Sequence, residues 1–180
     1  MPTFTYGTTT IDYILYRQER RDMKISITLA NLVFYQGRFI ATVPQNWSQK
    51  QVQDTLEKQL IRWYRKQGVK KLQQRTTYYQ SLLNVQPKSI NLRTQHKRRG
   101  TCTPDGDIYI NWRLIMAPSN VFDYVIVHEL THLIIQDHSV EFWKLVKFIL
   151  PDYEYRKEWL RVNGLSLQHQ KEQTCSLSFL

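Results

Sequence analysis

The hydrophobic pattern of the first 44 residues is typical of short strands. Residues 10–17 and 33–43 are rich in β-branched and aromatic residues, and residues 24–29 alternate apolar and polar positions. Such alternation indicates strands that are buried on one face. Pro44 follows the second run, so the sheet is expected to end there. The pattern predicts a small antiparallel sheet in this part of the chain.

From Ser48 onward the apolar residues change to helical spacing. Ser48 is of a type that favours the position before a helix. Val52, Leu56 and Leu60 then recur at every fourth residue, which places them on one helical face. We predict one helix after Ser48 and a second helix over residues 69–83.

The remaining chain predicts two more strands, followed mainly by helices. Residues 88–93 and 107–111 are the strands, and Asp105-Gly106 is the turn before the second of them. Four helices follow: a short one at residues 112–115, one that begins near residue 121 with Asn120 as its cap, one after Ser139, and one at residues 152–162 that ends at Gly164 in the usual glycine C-cap manner.

The helix near residue 121 carries the strongest chemical signal, the pattern H-E-x-x-H at residues 128–132. Residues four apart share one helical face, so His128 and His132 can point at one metal ion. Glu129 beside them can reach a water on that ion and serve as general base, as in a zinc hydrolase. The alternative is a chance match on a buried helix. We predict one zinc per chain, with His138 as the third ligand.

His138 can join the other two histidines only if the helix ends before it. On a continuous helix His138 would lie roughly 120° around the axis and about 9 Å along it from His132. Asp137 is the candidate for the reversal, since Asp tolerates the left-handed conformation. Ser139 can then cap the next helix.

Composition predicts a cytoplasmic protein with one domain. The chain has 180 residues, 42% of them hydrophobic, and no apolar run reaches the roughly 18 residues that a membrane span needs. Residues 1–8 lack the features of a secretory signal. Cys102 and Cys175 are far apart in the sequence, which favours reduced thiols.

The net charge of +10 predicts an anionic partner, with nucleic acid as the first candidate. The alternative is a basic surface that is merely well solvated. Lys97, Arg98 and Arg99 form a basic loop and are the candidate anion-binding residues.

Several separate blocks of the sequence resemble the YgjP-like metallopeptidase-domain family. They are Arg98-x-Gly-Thr-Cys102, Gly106-x-Ile-x-Ile-Asn-Trp-Arg-Leu114, His128-Glu-Leu-x-His-Leu133 and His138-Ser-x-x-Phe-Trp143. The resemblance extends to about Gly164. It implies a zincin-like α+β fold, in which a small antiparallel sheet precedes a helical core that carries the H-E-x-x-H helix. It implies one domain over residues 1–165, followed by a loosely ordered tail at residues 166–180.

The same resemblance implies that His128, His132 and His138 bind the metal and that Glu129 is catalytic. The family is similar to the SprT-like and WLM proteases, and a protein or peptide substrate is expected. In zincins a strand beside the metal helix often binds the substrate backbone, and residues 107–111 are the candidate, with an interior strand as the alternative. One position departs from the family pattern: Arg99 stands where an aromatic residue is typical.

Three functions are compatible with the sequence. The first is a zinc metallopeptidase, for which Tyr109 and Arg113 are candidate substrate-binding residues because they lie on the adjacent segment. The second is a metal-dependent nucleotide pyrophosphohydrolase, since a water activated on a metal can also attack phosphorus. The third is a nucleic-acid-binding module with a structural metal, although structural zinc normally has four protein ligands.

Overall fold

The computed structural model describes residues 3–6, 9–18, 31–35, 38–95, 98–164 and 167 of the chain. Its contacts divide into two compact units, residues 1–63 and 64–180. The single domain expected over residues 1–165 stays a prediction. The strand predicted at residues 24–29 and, apart from Leu167, the tail predicted at residues 166–180 lie outside the described residues.

The first unit contains a mixed four-stranded sheet. Its strands are β1 (Thr3–Tyr6), β2 (Thr9–Gln18), β3 (Asn31–Tyr35) and β4 (Arg38–Pro44), in the order β1-β2-β4-β3. The hairpins β1–β2 and β3–β4 are antiparallel, but β2 and β4 are parallel. The prediction of a purely antiparallel sheet was therefore wrong for the central pair. The reason is that the chain reaches the outer strand β3 before it returns as β4.

Helix α1 (Gln49–Leu83) is one helix of 35 residues where two were predicted. It begins as predicted, because the Gln51 amide donates to Ser48 Oγ and the Ser48 amide donates to Gln51 Oε1, at 3.3 and 2.9 Å. Gly68 does not end the helix, since an interior glycine costs only about 1 kcal/mol relative to alanine. A Cβ at Gly68 would lie 2.8 Å from Leu92 Cδ1, so the absence of a side chain at Gly68 leaves room for the Leu92 side chain.

The second unit contains a three-stranded sheet whose centre is β7. Strands β5 (Ser89–Arg93) and β7 (Asp107–Asn111) confirm the predicted ones, and β6 (Gly100–Cys102) was not predicted. The order is β5-β7-β6, with β5 parallel and β6 antiparallel to β7. The prediction that residues 107–111 accept a substrate strand was wrong, because both edges of β7 are already hydrogen-bonded. The alternative of an interior strand is confirmed.

Helix α2 (Ser119–Thr131) lies at the centre of the core of the second unit. It follows a short 3₁₀ helix (Trp112–Met116) that confirms the predicted one. Its Phe122, Ile126 and Leu130 side chains are fully buried, in the same cluster as the side chains of β7. The prediction that Asn120 caps this helix was wrong. The helix begins earlier, with the Pro118 carbonyl accepting hydrogen bonds from the Val121 and Phe122 amides.

Helices α3 (Val140–Ile149) and α4 (Tyr153–Asn163) complete the second unit. Ser139 caps α3 as predicted, since its Oγ accepts from the Phe142 amide at 3.4 Å. Gly164 follows α4, but its φ of −67° is right-handed, unlike the left-handed glycine cap that was predicted. A Cβ at Gly164 would overlap the Leu160 carbonyl, so glycine is needed because the backbone passes close to this carbonyl oxygen. Among the described residues, no helix has the length and apolar character of a membrane span.

An ion pair joins the second half of α1 to α2. The Arg75 guanidinium donates to both carboxylate oxygens of Asp123, at 2.7 and 2.6 Å, and also to the Tyr79 hydroxyl at 3.1 Å. The Asp123 side chain is 9% exposed, whereas that of Arg75 is 37% exposed. The pair lies one helical turn and a half before His128, so it restrains the helix that carries the histidines.

The unequal exposure of the two partners predicts unequal costs of removing them. Arg75→Met should lower the free energy of unfolding by about 2 kcal/mol, because it leaves the buried Asp123 carboxylate without its partner. Asp123→Asn should cost only about 1 kcal/mol, because water can solvate the remaining guanidinium. Urea unfolding of the two variants beside the wild type measures both. An equal or larger cost for Asp123→Asn would contradict this assignment.

Candidate metal centre

The end of α2 brings three imidazoles together. His128 lies in the last turn of the helix, and His132 follows the final helical residue with φ −65° and ψ −16°, so it keeps the helical direction. The centroids of their rings are 4.9 Å apart, and the ring of His138 lies 4.9 and 4.8 Å from them. Nε2 of His138 is 3.1 Å from Nε2 of His128. One nitrogen from each ring lies within 4.8 Å of the others.

The chain reverses between the second and third histidines, as their spacing predicted. The amide of Ile134 donates to the Thr131 carbonyl at 2.9 Å, which closes a turn directly after the helix. The Asp137 carboxylate then accepts from the Ser139 amide at 3.1 Å. The prediction that Asp137 is left-handed was wrong, because Asn84 is the sole non-glycine residue with positive φ in the described part of the chain. Asp137 acts instead through its side chain, as in an Asx turn.

Two aromatic residues of α3 form the wall behind the histidines. The ring of Phe142 lies 5.0, 4.7 and 4.9 Å from those of His128, His132 and His138, and its side chain is fully buried. Trp143 stacks on His138 at 5.7 Å with an interplanar angle of 24°. This packing limits the rotation of the three imidazoles, so their nitrogens stay directed at one another.

The environment keeps the helical imidazoles neutral. Burial lowers the pKa of His128 to about 3, with further lowering by His132, His138 and the ammonium of Lys157. Burial also lowers the pKa of His132. The neutral ring is the form that binds a metal.

The hydrogen bonding of the rings also suits a metal. His132 Nδ1 is 3.1 Å from the Ile135 carbonyl, which assigns the proton to Nδ1 and leaves the lone pair on Nε2. His128 Nδ1 is buried without a hydrogen-bond partner among the described residues, and its Nε2 faces His138. Two nitrogens that bind one tetrahedral zinc lie roughly 3.4 Å apart. The donor set of these three rings therefore fits a metal ion.

Glu129 is buried beside the histidines, with 6% of the residue exposed. The backbone of Cys102, in β6, donates a hydrogen bond to its carboxylate. Burial nevertheless raises the pKa of Glu129 to about 7. Gly100 lies so close that a Cβ there would overlap the carboxylate. Strand β6 therefore fixes the position of the Glu129 carboxylate.

A cleft of roughly 600 Å³ opens beside Glu129 and His128, and we call it the Glu129 cleft. Tyr124 also lines it, four residues before His128 on the same face of α2. Burial raises the pKa of the Tyr124 hydroxyl to about 12, so this hydroxyl stays protonated and can donate at neutral pH. The polar groups that line the cleft are Arg98, Arg99, Tyr124, His128, Glu129, Lys157 and Arg161.

Tyr124, Gly100 and Lys157 are among the residues of this site that sequence reasoning missed. Tyr124 could have been found from its spacing of four residues before His128. Gly100 belongs to a motif that was recognised, but its contact with Glu129 depends on how β6 pairs. Lys157 has no local signal, because it comes from α4 and reaches the cleft through tertiary packing alone.

The other predicted site residues do not all lie here. Tyr109 lines a separate hollow with Arg93 and Arg98, on the face of β7 opposite the core. The Arg113 guanidinium lies 5.0 Å from the centroid of the Trp112 ring and does not line the Glu129 cleft. A role of Tyr109 or Arg113 in substrate binding stays a prediction.

The residues of the predicted basic loop also do not all line the same hollow. Arg98 lines both hollows, and Arg99 lines the Glu129 cleft. Lys97 lies outside the described residues. The structure therefore brings two of the three predicted anion-binding residues to the cleft.

Comparisons with known proteins place these features in a family. No curated protein matches the chain. Residues 12–163 match the sequence model of the YgjP-like, metallopeptidase domain. The matched segment includes the three histidines, Glu129 and every residue that lines the Glu129 cleft. Because the match spans most of the 180 residues, the chain belongs to the YgjP-like metallopeptidase-domain family.

Proposed function

We propose that the protein is a zinc-dependent metallopeptidase in which His128, His132 and His138 bind the metal and Glu129 is the general base. The observation that carries the proposal is the convergence of three imidazoles next to a buried carboxylate, where His128 and Glu129 line one cleft. A catalytic zinc typically has three protein ligands and one open position, whereas a structural zinc has four. Family membership adds support for peptide hydrolysis.

Several groups in and around the cleft have a role in this proposal. Zinc, when bound, would act as a Lewis acid toward a carbonyl oxygen and an attacking water. Glu129 would accept the proton of the attacking water and return it to the amine that leaves. The Cys102 amide and the open space at Gly100 would hold the carboxylate in place. The Tyr124 hydroxyl would donate a hydrogen bond to the substrate.

Added zinc should stabilise the wild-type protein and raise its melting temperature. A ligand present at 100 times its dissociation constant stabilises a protein by about 2.7 kcal/mol. His132→Ala should lose most of this shift, because it removes one of three ligands. His169→Ala, which changes a histidine outside the triad, is the matched control. Differential scanning fluorimetry measures all three proteins, and an equal shift in wild type and His132→Ala would contradict the metal site.

Glu129→Gln should keep the zinc-dependent thermal shift and lose hydrolysis by a factor of about 10² to 10⁴, because the amide cannot accept the proton. Mass spectrometry of a peptide mixture, incubated with either protein, detects new termini. Nucleoside triphosphates are incubated in parallel. Cleavage by the variant at the wild-type rate would contradict the role of Glu129. Pyrophosphate release without peptide cleavage would replace the proposal with the nucleotide pyrophosphohydrolase.

Gly100→Ala should lower hydrolysis about 100-fold, because the added methyl group would displace the Glu129 carboxylate, and a shift of about 1 Å can have that effect. The zinc-dependent thermal shift should remain, since no histidine changes. Gly68→Ala is the control, because it adds the same methyl group against the end of the Leu92 side chain instead of against Glu129. It should keep wild-type hydrolysis. Full activity of Gly100→Ala would show that β6 does not position the general base.

A further inference from the structure

The Glu129 cleft has an excess of positive charge. Arg98, Arg99, Lys157 and Arg161 contribute side chains to its lining, and Glu129 is the single acidic residue there. Charges in a concave site interact more strongly than on an open surface, because less water screens them. Even with Glu129 ionised, the cleft therefore favours an anion.

The four cations of the cleft are not equally available. The guanidinium of Arg161 already donates to both carboxylate oxygens of Glu158, at 2.7 and 2.6 Å. Lys157 forms no ion pair with any residue in the described part of the chain, and its Nζ lies 4.1 Å from the centroid of the Trp143 ring. Because Trp143 also stacks on His138, the free ammonium lies next to the histidine cluster.

Arg98 and Arg99 also form no ion pair among the described residues, and of these two only Arg99 has a guanidinium that is held there by a hydrogen bond. One of its terminal nitrogens donates to the Leu160 carbonyl at 3.3 Å, while its Nε is buried without a hydrogen-bond partner among the described residues. Because a carbonyl carries no net charge and Arg99 forms no ion pair among the described residues, the guanidinium keeps its positive charge and favours an anionic acceptor. A carboxylate matches the planar fork of an arginine.

We propose that Arg99 and Lys157 bind a carboxylate of the peptide substrate in the Glu129 cleft, so that the bond cleaved lies beside an acidic group. This inference rests on the proposed peptidase function. The carboxylate comes from an Asp or Glu side chain or from the C-terminus of the peptide, and both sources offer the same chemistry. The cleft contains the general base itself, so the carboxylate lies within one or two residues of the bond that reacts.

Binding of labelled peptides to zinc-supplied Glu129→Gln protein tests this inference without turnover. Four versions of one peptide are compared by fluorescence anisotropy, with Glu or Gln at a single position and with a free or amidated C-terminus. We expect an acidic version to bind at least about 10-fold more tightly than its neutral counterpart, as for hydrogen bonds between charged groups. A preference in the amidated pair indicates a side chain, and a preference limited to the free C-terminus indicates a terminal carboxylate.

Charge-removing variants then assign the preference to the cleft. Lys157→Gln and Arg99→Gln, each made in the Glu129→Gln protein, should reduce the preference to less than about 3-fold. Lys147→Gln is the matched control, since this exposed lysine of α3 does not line the cleft. Lys157 is exposed, so its variant should fold even where Arg99→Gln does not.

The outcomes separate this inference from the proposed function. Equal binding of acidic and neutral peptides, or a preference that persists in Lys157→Gln, would overturn the carboxylate site while peptide cleavage by the wild type still stood. Absence of both peptide binding and peptide cleavage would overturn the inference and the peptidase function together.

Discussion

The end of helix α2 at Thr131 is the constraint on which the whole site depends. A helix can direct His128 and His132 to one point, but it cannot add His138 unless the chain turns back within six residues. The turn after Thr131 and the hydrogen bond between Asp137 and Ser139 supply that reversal. Thr131 itself is fully buried, with its Oγ1 donating to the Val127 carbonyl at 2.8 Å, so the helix end is fixed in the core.

The surrounding fold holds this helix end from three directions. The Arg75–Asp123 ion pair ties α2 to α1, and Phe142 of α3 packs on all three imidazoles. On the side of the cleft, strand β6 meets the Glu129 carboxylate through the Cys102 backbone and the space at Gly100. Helix α2 carries His128, Glu129 and, at its end, His132, but the imidazoles pack against α3 whereas the carboxylate contacts β6. The proposed metal ligands and the proposed general base can therefore be disrupted separately.

Sequence reasoning succeeded where function follows from local spacing and failed where it follows from tertiary packing. The spacing of the three histidines predicted both the cluster and the helix end before His138, because helical geometry leaves no other way to bring them together. The length of α1 was missed because a second helix was predicted from residue 69, whereas the helix continues through Gly68, whose lack of a side chain leaves room for Leu92 of another element. Lys157 was missed for a similar reason, since no local pattern brings α4 to the cleft.

The central claim is that the three imidazoles hold one zinc ion with an open side. Anomalous diffraction from zinc-loaded crystals, measured on both sides of the zinc absorption edge, tests it most directly. The account predicts one peak per chain, about 2.0–2.1 Å from a nitrogen of each of His128, His132 and His138, with no fourth protein ligand. A peak at another place, or a fourth protein ligand that closes the site, would contradict the account.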